Sequence, residues 1–307
     1  MSRKTIIILS RRAASALILW ATMCGGSMAQ TKDSIDTTVF TVGYDFKVNT
    51  TDKEGKAVTD SLRTVLLVGS KSTKSLGYYT DMVEQQGEER GSFGGKRKER
   101  CAHVPIIFVS QEKGQMTVRE DVPAHRYEYT EPTGMAWNLL DDTLTISGFH
   151  CQKATTTYGG RSWTAYYTED VPSTAGPWKL HGCPGLIVSA STDDGIFSFT
   201  LFELLQVRRP ITSSCGDGFE TSSIGGMMVK TKRDKLIKMR NKLFTDPRYL
   251  TNPVYYYIKS PSDKSGGDVF KDDIRVGEPI PPNSFYLVIN GTAIPSAVNV
   301  YQPLELE

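Results

Sequence analysis

Between Phe40 and Val48 apolar and other side chains alternate strictly: Phe40, Val42, Tyr44, Phe46 and Val48 stand against Thr41, Gly43, Asp45 and Lys47. A period of two is the mark of a strand with one buried and one wet face. The polar, turn-like stretch 51–55 follows it, and residues 62–68 form a second apolar run, which predicts a hairpin. Further β-type runs recur at 106–109, 116–119, 126–129, 135–139 and 144–149, separated by Gly, Pro, Asp or Glu. Spacings near ten residues belong to antiparallel meanders, sandwiches and barrels.

The middle of the chain keeps this rhythm. Residues 151–168 read as two Thr- and Tyr-rich strands joined by Gly159-Gly160, a two-residue turn in which both positions can take positive φ. Residues 185–191 and 196–205 flank Asp193-Asp194-Gly195, a second hairpin signal. Four strands so closely spaced leave no room for helical crossovers between parallel strands. Two segments break the pattern. Residues 84–100 mix Gly with charges of both signs and have almost no apolar side chains, which predicts a mobile surface loop. Over 230–244, Leu236, Met239 and Leu243 continue from Val229 at helical spacing, and Gly and Pro are absent. This predicts an amphipathic helix whose polar side carries Lys230, Lys232, Arg233, Lys235, Lys238, Arg240 and Lys242 against Asp234. The Pro- and Gly-punctuated end of the chain offers strands at 254–258 and 285–289. The fold expected is mainly β: a single curved antiparallel sheet, or an open barrel or half-barrel, with one or two packed helices.

The first 29 residues stand outside this pattern. Arg3, Lys4, Arg11 and Arg12 precede a short apolar stretch, and Ser27-Met28-Ala29 supplies small residues for cleavage, so 1–29 reads as a secretory signal peptide. The apolar stretch is too short for a transmembrane span. Cys24 raises lipoprotein processing as a rival, but Met23 stands where such a signal needs a small residue. Cleavage after Ala29 would leave 30–307 as one β-rich domain and remove four positive charges, taking the formal net charge from +2 to −2. A nearly neutral chain lacks the basic footprint of a nucleic-acid binder. The expected location is the periplasm or the outer membrane.

Export changes the reading of the cysteines. Cys101, Cys151, Cys183 and Cys215 would enter an oxidising compartment, where they are candidates for disulfides in any of three full pairings. A nucleophilic Cys needs a nearby base; His150 beside Cys151 projects to the opposite face of a strand, and His181 with Cys183 lies in a turn. These side chains also lack the paired clips of a zinc site. Asp141-Asp142 and Asp193-Asp194 fall at expected turns, where Asp caps the backbone. Nucleophile-elbow, metalloprotease, phosphate-loop and dinucleotide signatures are all missing from the sequence. The chain therefore reads as a non-enzyme with no metal and no cofactor.

The densest run of breakers is Gly176-Pro177-Trp178-Lys179-Leu180-His181-Gly182-Cys183-Pro184-Gly185-Leu186-Ile187. Here the chain resembles the GLPGLI family of exported bacterial proteins. Cys151-Gln152-Lys153-Ala154-Thr155, Gly160-Arg161, Thr164-Ala165-Tyr166-Tyr167-Thr168 and Val171-Pro172 resemble the family's block before that motif, and Pro303-Leu304-Glu305-Leu306-Glu307 resembles its ending. Cys183 stands where the family usually has Leu, and Tyr166 where it often has Trp. The resemblance implies export and a β-rich fold, with no established activity to carry over. At the level of fold pattern it is also similar to lipoprotein carriers, whose open sheet wraps a helix and takes up acyl chains; fold alone does not give function.

Physically, Pro177 and Pro184 fix φ, Gly176, Gly182 and Gly185 permit tight or left-handed turns, and Leu186 and Ile187 enter a buried strand. Gly176, Pro177, Trp178, Gly182, Pro184, Gly185, Leu186 and Ile187 are read as a folding signature first and a binding lip second. Tyr44, Phe46, Trp137, Trp163, Tyr166, Trp178, Phe197 and Phe199 are candidate liners of a concave face. The expected role is a binding module for an apolar ligand or an envelope protein partner. The alternative is an interaction subunit of an outer-membrane transport complex, docking by a sheet edge or by the basic surface of the 230–244 helix.

Overall fold

β1 (Ser34–Thr51) is the spine of the molecule. It pairs antiparallel with β2 (Ala57–Gly69) on one side, and with β11 (Phe197–Leu205) and β12 (Pro210–Thr212) on the other. This is a computed structural model, and it describes residues 34–52, 54–86, 104–122, 125–213, 228–245, 256–258, 285–287 and 304–306.

Two meanders meet at β1. The first runs outward through β2, β3 (Ser72–Gly77), β4 (Ile106–Ser110), β5 (Gln115–Val122) and β6 (His125–Pro132). The second starts at the far edge with β7 (Asn138–Ile146) and returns through β8 (Phe149–Tyr158), β9 (Arg161–Thr168) and β10 (Leu186–Thr192) to β11. β13 (Met228–Lys230) adds in parallel to β6, completing one open sheet of 13 strands. β14 (Tyr256–Ile258) and β15 (Phe285–Leu287) pair separately.

This order forces curvature. Residues 133–137 join β6 to β7, yet the two strands are ten places apart in the sheet. Laid flat, ten spacings measure about 48 Å, whereas five linking residues reach about 20 Å. The sheet must curl until its ends approach, and Tyr158 on β8 donates its hydroxyl to Glu131 on β6 at 2.9 Å. No backbone ladder joins β6 to β7 or β8 among the described residues, so the sheet stays open and leaves a seam between its two ends.

The concave side holds the main core. Tyr44, Phe46, Trp163, Phe197 and Phe199 are buried, and Phe46 stacks on Phe199 with centroids 4.3 Å apart. A smaller outer core of Val65, Leu67, Leu76 and Ile211 lies on the other face of the sheet. That second cover explains why β2 loses its alternation and is continuously buried from Thr64 to Gly69. α1 (Tyr78–Gln86) packs on β2 and β3, and Lys74 of β3 sends its fully buried ammonium to Glu84 of α1 at 2.6 Å. Residues 84–86 are therefore helix where a charged loop is expected, and 87–100 lie outside the described residues.

α2 (Arg233–Thr245) also departs from expectation. It starts after Lys230, which belongs to β13, and packs on β6. Leu236 and Ile237 face inward with Arg240, while Met239 is exposed. Period alone placed Met239 in the apolar stripe and Arg240 on the wet side; the tertiary partner of Arg240 reverses the two. No helix among the described residues is long and apolar enough to cross a membrane. The expected signal peptide lies outside the described residues.

Candidate functional site

The breaker-rich run links β9 to β10 and folds back across the seam. Leu180 N–H bonds the Pro177 carbonyl at 3.0 Å, closing a tight turn with Trp178 and Lys179 at its centre. Trp178 has φ of +53°, a left-handed conformation that costs a non-glycine residue about 1–2 kcal/mol. The strain is held by what the turn buries: Trp178 packs on Trp163 at 5.6 Å and edge-on to Tyr158 at 5.7 Å. Further anchors are Gly182 N–H to Thr174 carbonyl at 2.7 Å and Trp137 Nε1–H to His181 carbonyl at 2.8 Å. Tyr44 donates to the Ile187 carbonyl at 2.7 Å.

The glycines of the run do different jobs. Gly182 takes positive φ, +95°. Gly185 does not; it is required because a Cβ there would stand 2.1 Å from the Thr168 carbonyl oxygen. A Cβ at Gly176 would likewise lie 2.5 Å from the Leu180 carbonyl oxygen. The left-handed turn expected at Gly185 is thus a close approach of two backbones. Pro177, Leu186 and Ile187 are buried, and of the eight motif residues singled out only Gly182 and Pro184 are exposed.

Lys179, which the sequence pattern alone does not distinguish, is the centre of the site. Its side chain is fully buried. Its ammonium donates to Tyr129 Oη at 2.6 Å, Glu305 Oε1 at 2.7 Å and Glu131 Oε1 at 2.9 Å. Three donors meet three acceptors, which meets the requirement for burying a charge. The rings of Tyr129, Trp178 and Tyr158 surround it, with centroids at 5.0, 5.6 and 5.7 Å, adding cation–π attraction.

The network extends to α2. Arg233 reaches Glu305 at 3.0 Å and Glu131 at 3.3 Å; Arg240 reaches Glu120 at 2.8 Å and lies 3.8 Å from Glu305 Oε2. The carboxylate of Glu305 is thus shared by Lys179, Arg233 and Arg240. Burial pushes the Tyr129 and Tyr158 hydroxyls well above their ordinary range, and the nearby glutamates push both further. For Arg233, burial works against the charge, but Glu305, Tyr158 and Glu131 outweigh it and raise its pKa. An ammonium with every donor engaged ties the two ends of the sheet together.

The remaining candidates are dispersed. Cys151 and Cys183 are buried free thiols, so the structure does not use them as a disulfide, and Cys101 and Cys215 lie outside the described residues. Burial pushes the thiol pKa up to about 11 for Cys151 and about 12 for Cys183, which keeps both protonated and unreactive at neutral pH. His150 is exposed while its neighbour Cys151 is buried, as opposite faces of a strand require. Among the described residues no three His, Cys, Asp or Glu side chains gather as a metal set. Asp141 and Asp142 fall where the β7–β8 register slips, and Asp194 caps the β10–β11 turn through Ile196 N–H at 3.0 Å. Of the expected liners, Tyr44, Phe46, Trp163, Trp178, Phe197 and Phe199 are buried in the main core, with Trp137 and Tyr166 partly buried at its margin.

No protein-family model matches the chain, and no curated protein matches it. Among solved structures, two crystal forms of PNGF-II superpose on it with TM-scores of 0.43 and 0.42 at 13% identity. Each alignment covers 73% of this chain and 34% of PNGF-II, so the chain spans about a third of that protein's length. A likeness at this level carries no argument about fold or function.

Proposed function

We propose that this chain is an exported, non-catalytic envelope module that binds a protein partner by accepting an extended segment along β7. The observation that carries this reading is the state of that strand. Among the described residues β7 ends the sheet and pairs with β8 alone, and it exposes Leu139 and Leu144 at 46% and 50%. An edge offers unpaired backbone donors and acceptors, and apolar side chains beside them give an added strand something to bury. The register slip between Leu139 and Thr143, carrying Asp141 and Asp142, blunts indiscriminate pairing along the first half of the strand. Residues 143–146 keep regular register with β8.

Uptake of an apolar ligand into the concavity has less support, because the expected liners are packed on one another. A second reading, a subunit of an outer-membrane transport complex docking through its basic helix, draws on exposed Lys235 and Lys238 beside exposed Met239 on α2. Placing a photo-crosslinking residue at Leu144, and separately at Lys238, in cells making the full chain distinguishes these. A discrete adduct from Leu144, lost in Leu139→Lys with the melting temperature unchanged, is the expected result. Adducts from Lys238 alone would transfer the interface to α2, and no adduct from either position would remove the reading.

A further inference from the structure

Leu304 and Glu305 lie far from the seam in sequence and sit inside it in space, with Leu306 exposed at its edge. Leu304 is buried in the main core, and Leu306 N–H bonds the Gly159 carbonyl at 2.8 Å, at the β8–β9 turn. Between them, the buried Glu305 carboxylate meets Lys179, Arg233 and Arg240. Its backbone carbonyl accepts from Asn241 Nδ2 at 2.9 Å. The segment is thus held as a bound peptide is held: by a side-chain pocket, by a charged anchor, and by main-chain hydrogen bonds at both 305 and 306.

The slot around it has a definite chemistry. Gly159, with φ of +63°, lets the segment approach so closely that a Cβ would stand 3.0 Å from Glu305 Cγ. Lys179, Arg233 and Arg240 come from two separate elements, the β9–β10 link and α2, and share one acceptor there. Taking Glu305 away would leave Lys179 with Glu131 and Arg240 with Glu120, and would strip from all three cations the carboxylate they share. Leaving a buried charge short of its partner is among the costliest changes a protein can make.

We infer that the seam is a recognition site for a short acidic peptide of Leu-Glu type, its next residue held by the backbone N–H, filled in cis by residues 304–306. The site is independent of the β7 edge. It selects a carboxylate because three cations converge on it, and fixes the peptide unit that follows because Asn241 donates to its carbonyl and the Gly159 carbonyl accepts from its N–H.

The test uses the full chain with Leu304→Ala, Glu305→Ala and Leu306→Ala combined, and a synthetic peptide Gln-Pro-Leu-Glu-Leu-Glu matching residues 302–307. The peptide is expected to bind the variant saturably and raise its melting temperature, and to leave the unmodified chain, whose slot is full, unaffected. Exchanging the central Glu of the peptide for Gln should weaken binding about tenfold or more. A folded variant that ignores the peptide, or equal binding of the Glu and Gln peptides, would overturn the inference. If the triple variant does not fold alone, the peptide added during refolding should rescue it. Failure of rescue, together with no peptide binding to Glu305→Gln, overturns it equally.

Discussion

Lys179 ties β6 and Glu305 to the β9–β10 link through one ammonium. Replacing it by Met removes the donor to Tyr129, Glu131 and Glu305 at once and leaves the two carboxylates with Arg233 and Arg240 as their remaining cations. The expected loss is about 3–5 kcal/mol in chemical denaturation, the range found when one partner of a buried ion pair is deleted. Glu305→Leu alone should also destabilise. The double variant should lose clearly less than the sum, because each single change already takes a partner from the other charge. Strict additivity would show that the two groups do not act as one unit. The local strain at Trp178 belongs to the same arrangement: the left-handed turn is what presents the indole and the ammonium to the seam side by side.

Elements here are ended by side chains as much as by glycines. In the β10–β11 turn, Asp194 accepts from Thr192, from Ile196 N–H and from Arg161. Burial pushes its carboxyl upward, but these donors outweigh it and hold the pKa below the ordinary 3.8. On Arg161 burial wins and the pKa falls, so the attraction within the pair is visible on the carboxylate. A depressed folded pKa contributes stability above 3.8 that is lost as pH falls through the lower folded value. Asp194→Asn should therefore lower stability at neutral pH and flatten its decline on the acid side, as read by urea midpoints across that window. A wild-type slope in the variant would assign the acid sensitivity to other carboxylates.

At the scale of the whole molecule, an open sheet is closed by side chains in place of backbone. β1 is paired on both sides, whereas the seam between β6 and β8 is bridged by Tyr158, Lys179, α2 and residues 304–306. Side-chain bridges are fewer and more local than a ladder, so the seam should open before the centre does. Native-state hydrogen exchange should show the Leu306 amide, and the amides of β7, exchanging by partial opening at denaturant levels where Val42, Tyr44 and Phe46 on β1 stay protected. Simultaneous exchange of both sets would mean that the seam and the spine form one cooperative unit.

The β character of the chain was legible from its residues, because a strand's side-chain period and a turn's φ are local properties. The alternation from Phe40 to Val48 needs no partner to be recognised, and Gly159 and Gly160 adopt the positive φ that their pairing demands, +63° and +74°. The curl of the sheet, the switch of Arg240 from surface to interior, and the cage around Lys179 were decided only in three dimensions. Tyr129 and Glu305 stand 50 and 126 residues from Lys179. No periodicity links them, since hydrogen bonding among distant side chains depends on which strands the chain brings together. The same residues read along the sequence are an ordinary lysine, two acids and a tyrosine; burial in one seam makes them a single charged lock.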